Sequence, residues 1–176
     1  MTWIMPKYQQ NDEQLSDGVN LLISILVRYP EIGTISFDPQ NDNLKMTFLL
    51  SGIPSPQEFE AIRQLLSNSV YAYQMLEGVT GTIIDIQLSS YDKVAMLTIV
   101  RDVNTLSKGE IALVITLLRE KLRERLITDH NESMQEEDLL LQEELIDNML
   151  ESMKQRQTVQ SLIAIREDGR VLVFNK

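Results

Sequence analysis

Three times along this chain, a segment of helical period is followed by two strand-length runs joined by turn residues, and that order restricts the fold more than any other feature. Leu15, Val19, Leu22, Leu26 and Tyr29 recur at helical spacing, and Pro30 stops the pattern. Gly33–Phe37 then reads as a strand. Asp38-Pro39-Gln40-Asn41-Asp42-Asn43 is turn chemistry. Leu44, Met46, Phe48 and Leu50 alternate with Lys45, Thr47 and Leu49, the clearest period-two signal in the chain.

The second unit opens on Ser55-Pro56-Gln57-Glu58, a capping box with proline at the first helical position. Phe59, Ile62, Leu66, Tyr73 and Leu76 keep the helical period up to Gly78, a C-terminal stop. A hairpin is expected over Thr82–Arg101, with Val94–Val100 apolar on both faces and therefore central in the sheet. Gly81-Thr82-Ile83 repeats Gly33-Thr34-Ile35 at the same place in the unit.

A third helix is expected over about Leu106 to Ile127, capped by Thr105 or Ser107. A polar linker, Asp129 to Glu132, leads to a second capping box, Ser133 with Glu136, and to a fourth helix ending near Gln157. Asp168-Gly169 between Ser161–Arg166 and Arg170–Phe174 marks a two-residue hairpin turn. Hairpins pair antiparallel. The expectation is an α+β fold with an antiparallel sheet of about six strands in three hairpins and helices on one face. Residues 1–128 form a core of two helix–hairpin units plus the third helix. Residues 129–176 add the acidic linker, the amphipathic helix and the last hairpin, packed on the same core.

Charge is distributed unevenly. The chain has a net charge of −10, and Asp129 to Asp147 holds eight acidic residues and no lysine or arginine. Glu136, Glu137 and Asp138 fall in the first turn of the fourth helix, where the helix dipole favours them. Glu143, Glu144 and Asp147 lie beyond that turn and are not explained by the dipole. They mark a solvated face, a docking surface for a basic partner or, with Glu136 at helical spacing, a site for a divalent cation. The same helix carries Leu141, Leu145 and Met149 at the centre of an apolar arc that needs cover from its own domain or from a second copy of the chain. Arg119, Lys121, Arg123 and Arg125, interleaved with Glu120 and Glu124, are the nearest basic surface for those acids.

Several chemistries find no support. There is no cysteine and a single histidine, His130, in the linker, so no transition-metal site and no cofactor is expected. No Walker, dinucleotide or nucleophile-elbow pattern occurs. The acidic balance opposes nucleic acid and anionic lipid. The longest apolar runs, near Leu21–Val27 and Ile111–Leu118, fall well short of the roughly 20 residues that cross a bilayer, and the first ten residues do not resemble a signal peptide. The expected location is the cytoplasm.

These observations give a leading reading of a non-catalytic interaction or regulatory protein. It would self-associate as a homodimer or dock a basic partner through the acidic C-terminal helix, using Leu141, Leu145, Met149, Glu143, Glu144 and Asp147. The alternative is a small-molecule-binding module with a pocket between sheet and helices, for which Tyr71, Tyr73 and Tyr91 are candidate lining residues; an enzyme of unspecified type is third. A broad exposed apolar surface favours the first, and an apolar pocket with one or two inward charges favours the second.

Overall fold

The structure, a computed structural model, describes residues 2–4, 13–80, 84–128, 136–155, 161–167 and 170–175. In chain order its elements are β1 (Thr2–Ile4), α1 (Glu13–Arg28), β2 (Thr34–Asp38), β3 (Asn43–Ser51), α2 (Pro56–Glu77), β4 (Ile84–Tyr91), β5 (Val94–Asp102), α3 (Lys108–Leu122), α4 (Glu136–Gln155), β6 (Leu162–Glu167) and β7 (Arg170–Asn175). The three expected hairpins, β2–β3, β4–β5 and β6–β7, are all present and antiparallel.

The hairpins join edge to edge. The sheet order is β1-β7-β6-β2-β3-β5-β4, with β6 antiparallel to β2 and β5 antiparallel to β3. The last hairpin in sequence thus lies beside the first. Six strands are antiparallel, and β1, which no sequence signal announced, adds in parallel to β7. Strand β5 is interior but penultimate, rather than central, with only β4 beyond it. Its second apolar face is the open face of the sheet, where Val94 and Met96 are exposed.

One face carries the core. Ile35, Phe37, Leu44, Met46, Phe48, Leu50, Leu97, Ile99, Ala164 and Val173 point to it and are buried beneath Leu22, Ile25 and Leu26 of α1 and Ile111, Val114, Ile115 and Leu118 of α3. The opposite face carries Thr34, Lys45, Thr98 and Gln87, so alternation along each strand separates a dry face from a wetter one. Helix α1 lies over β2, β6 and β7, α2 packs on α3 and β4, and α4 packs on α1.

The caps follow the sequence. The Ser55 hydroxyl accepts from the Glu58 amide at 3.1 Å, and Gly78 ends α2 at φ 71°. Ser107 caps α3. Close approach requires Gly109 in that helix, because a Cβ there would lie 2.1 Å from the Tyr73 hydroxyl. The C-terminal end of α3 departs from expectation. The helix stops at Leu122, Arg123 takes a positive φ of 51°, and a single 3-10 turn covers Arg123–Arg125. Leu126 then bridges Leu50, and the Ile127 amide donates to the Leu49 carbonyl. Pairing with the end of β3, which β2 is too short to cover, outweighs the helical period that runs through Leu126. The linker with His130, the Ser133 cap, Gly81-Thr82-Ile83 and the Asp168-Gly169 turn lie outside the described residues.

Candidate interaction surfaces

Helix α4 is held inside its own chain. Ile146, Leu150 and Met153 are buried, and Met149 packs partly against the same core. These residues recur at spacings of three and four, which makes one stripe facing α1. Leu145 sits one position off that stripe and is 46% exposed, so the buried arc is centred on Ile146 and Leu150 rather than on Leu145. The side chain of Leu141 lies outside those described.

The acids of α4 divide in the same way. Glu143 accepts from Arg28 of α1, with Nη2 at 2.6 Å and Nε at 3.1 Å. Glu144 faces solvent and Asp147 is half-buried, and neither forms an ion pair among the described residues. The basic cluster is engaged elsewhere. Arg119 pairs with the buried Glu31, and Arg125 donates to Glu58 at 2.7 Å, holding that carboxyl below the usual range chiefly through the hydrogen bond. The expected meeting of Glu143, Glu144 and Asp147 with Arg119–Arg125 is therefore replaced by one contact, Glu143 with Arg28.

Two groups of polar residues are buried. Tyr29, at the end of α1, is buried, and its hydroxyl has no hydrogen-bond partner among the described residues. Burial pushes its pKa up to about 12, while Arg28 and Arg119 pull it down and Glu143 and Glu31 push it further up. The second group is a network that sequence reading missed. Arg101, 1% exposed, donates to both Glu110 oxygens at 2.6 and 2.7 Å, to Thr105 at 3.0 Å, and to Asp102. Burial alone would lower the Arg101 pKa, but hydrogen bonds and charge from Glu110 and Asp102 outweigh it and raise it. The network ties the end of β5 to the first turn of α3. Its sequence signal is a charge pair, Arg101-Asp102, closing an otherwise apolar strand.

One cavity has the character of a small-ligand site. It holds about 260 Å³ and is lined by Pro30, Ile32, Gly33, Leu49, Ile127, Thr128 and Arg166. The Arg166 guanidinium already donates to the carbonyls of Leu26, Tyr29 and Ile32. Among the described residues, no group of three His, Cys, Asp or Glu side chains is placed to hold a metal, and no helix is long and apolar enough to cross a membrane. Of the three tyrosines considered for a pocket, Tyr71 and Tyr91 are exposed and Tyr73 meets Ser107 at 3.2 Å.

Exposed apolar residues gather in a different stretch of the sequence. Ten large apolar residues are exposed among those described, and eight lie between Ile53 and Met96, which leaves only Ile127 and Leu145 elsewhere. The end of α2 contributes most: Tyr71 is 51% exposed, Met75 82% and Leu76 88%, with Val79 beside them. The helical period places Leu76 inward, yet Gln74 is the buried residue of that turn. Ile62, Leu66, Val70 and Gln74 make the buried stripe of α2, and Leu76, two positions past Gln74, falls on the outward side. Beside this helix runs β4, the outer strand of the sheet, paired with β5 on one side only among the described residues. No family model, curated protein or solved structure matches the chain.

Proposed function

We propose that this chain is an interaction protein that acts by self-association, through the flank built from α2, β4 and β5. The observation that carries this reading is the group of apolar residues exposed together at the end of α2, Tyr71, Met75, Leu76 and Val79. Scattered single apolar residues are ordinary on a protein surface, whereas a contiguous group marks a contact site. The acidic helix carries less of the argument than its charge suggested, because α1 already covers its apolar stripe and Arg28 already neutralises Glu143.

Light scattering of the full chain against concentration tests the reading. The wild type should associate into dimers at micromolar concentration. The double variant Tyr71→Ser, Leu76→Ser should loosen that association at least tenfold, about 1.4 kcal/mol, with an unchanged melting temperature, since both side chains are largely exposed. A wild type that stays monomeric, or a variant that associates equally well, contradicts it.

A second reading is docking of a basic protein on the outer face of α4, where Glu144 and Leu145 are exposed. Loss of a captured basic partner on Glu144→Lys, with self-association intact, would favour it. The small-molecule reading draws on the cavity of about 260 Å³ beside Arg166 and on a second of about 380 Å³ lined by Asp38, Asn43, Lys45 and Ser161, both near the lower end of the usual range of about 300–1,000 Å³.

A further inference from the structure

The flank proposed for self-association contains an element with its own pairing code. Strand β4, Ile84-Asp85-Ile86-Gln87-Leu88-Ser89-Ser90-Tyr91, is long for an outer strand and regular along its length. It has no proline, no lysine and no positive φ within it, and the nearest irregular residue is Asp92 in the following turn. Proteins usually protect such edges with prolines, lysines, bulges or very short strands. The strand at the opposite edge, β1, has three residues. Among the described residues, nothing protects the β4 edge.

We infer that β4 pairs with β4 of a second copy, antiparallel and with Gln87 on the two-fold axis, so that two seven-stranded sheets become one continuous sheet. The inference rests on the self-association reading and specifies its geometry.

Side-chain alternation restricts the possible registers. Ile86 is buried on the helix side, Leu88 packs partly against the same core, and Asp85, Gln87 and Ser89 point to the open face. Directly opposed residues must share a face, so the axis has to pass through a residue rather than between two. With the axis at Gln87, Ile86 faces Leu88 of the other copy, twice, on the helix side. On the open side Asp85 faces Ser89, twice, and Gln87 faces Gln87.

Asp85 is the only charged residue of the strand. This register sets it opposite a hydroxyl that donates to it, and no like charges face each other. Moving the axis to Leu88 sets Asp85 against Tyr91 and Ile86 against Ser90. Moving it to Ile86 shortens the paired stretch. The Gln87 register therefore pairs Ile86 with Leu88 and Asp85 with Ser89, leaves Ile84 opposite Ser90, and is isologous as a two-fold contact requires. Since α2 packs over β4, it also brings the two α2 helices alongside each other, antiparallel.

The absence of cysteine from the chain makes a register test direct. Opposed residues of an antiparallel pair have Cα atoms about 4.5–5.5 Å apart, within disulfide reach. In the full-length chain under mild oxidation, Gln87→Cys should cross-link with itself. Asp85→Cys should not, because its own copy lies four residues along the partner strand, about 13 Å away. An equimolar mixture of Asp85→Cys and Ser89→Cys should cross-link. Gln87→Cys that stays unlinked, or Asp85→Cys that links with itself as fast, overturns the inference. If the dimer is loosened by Tyr71→Ser, Leu76→Ser but Gln87→Cys does not link, self-association stands and the β4 geometry falls.

Discussion

At the scale of single residues, the buried charges behave differently from the exposed ones. Arg101 and Glu110 are each 1% exposed, and their two hydrogen bonds satisfy charges that water cannot reach. Glu110→Ala removes two charged hydrogen bonds from the buried Arg101 guanidinium and should cost about 3–5 kcal/mol in urea unfolding. Arg101→Met with Glu110→Leu should not recover that loss, because the buried Asp102 carboxylate then loses its guanidinium. Tyr29 gives the opposite expectation. Its hydroxyl is buried without a partner among the described residues, so Tyr29→Phe should be neutral or stabilising by about 1 kcal/mol at neutral pH. Its pKa stands near 12 in the fold against 10.0 ordinarily, so the folded state holds the phenolic proton more tightly. The corresponding stability is present below pH 10 and is lost as pH rises from 10 to about 12, by up to about 3 kcal/mol. An alkaline titration followed by circular dichroism should show this limb in the wild type and not in Tyr29→Phe.

At the scale of elements, α4 separates composition from position. Its leucines and methionines surround much of the helix, and the period alone does not say which stripe meets a neighbour. Contact with α1 selects Ile146, Leu150 and Met153 and turns Leu145 outward. Ile146→Ala should therefore cost about 2–4 kcal/mol. Leu145→Ala should stay within about 0.5 kcal/mol in the same denaturation experiment. The three hairpins, the caps at Ser55 and Ser107 and the stop at Gly78 were legible because each depends on a few adjacent residues. The end of α3 was not, because Leu126 exchanges a helical bond for pairing with Leu50, some 75 positions earlier. Leu76 is exposed for a different reason: the buried stripe of α2 runs through Val70 and Gln74, and Leu76 lies across the helix from Gln74.

At the scale of the whole molecule, the order of helix and hairpin predicted an antiparallel sheet covered on one face, and the order in which the hairpins meet depended on contacts between distant strands such as Thr34 with Ile165. The excess negative charge of residues 129–147 falls largely on α4. The most exposed apolar residues lie instead at the end of α2, where Met75 and Leu76 face outward. We propose this flank, with β4 at its edge, as the place where a second copy binds. Hydrogen–deuterium exchange of the full chain at low and high concentration tests it most directly. Amides of Ile84–Tyr91 should gain protection as concentration rises, while those of β2 at the sheet centre stay unchanged; β4 amides that exchange at one rate across the whole range, in a chain that remains monomeric, would contradict it.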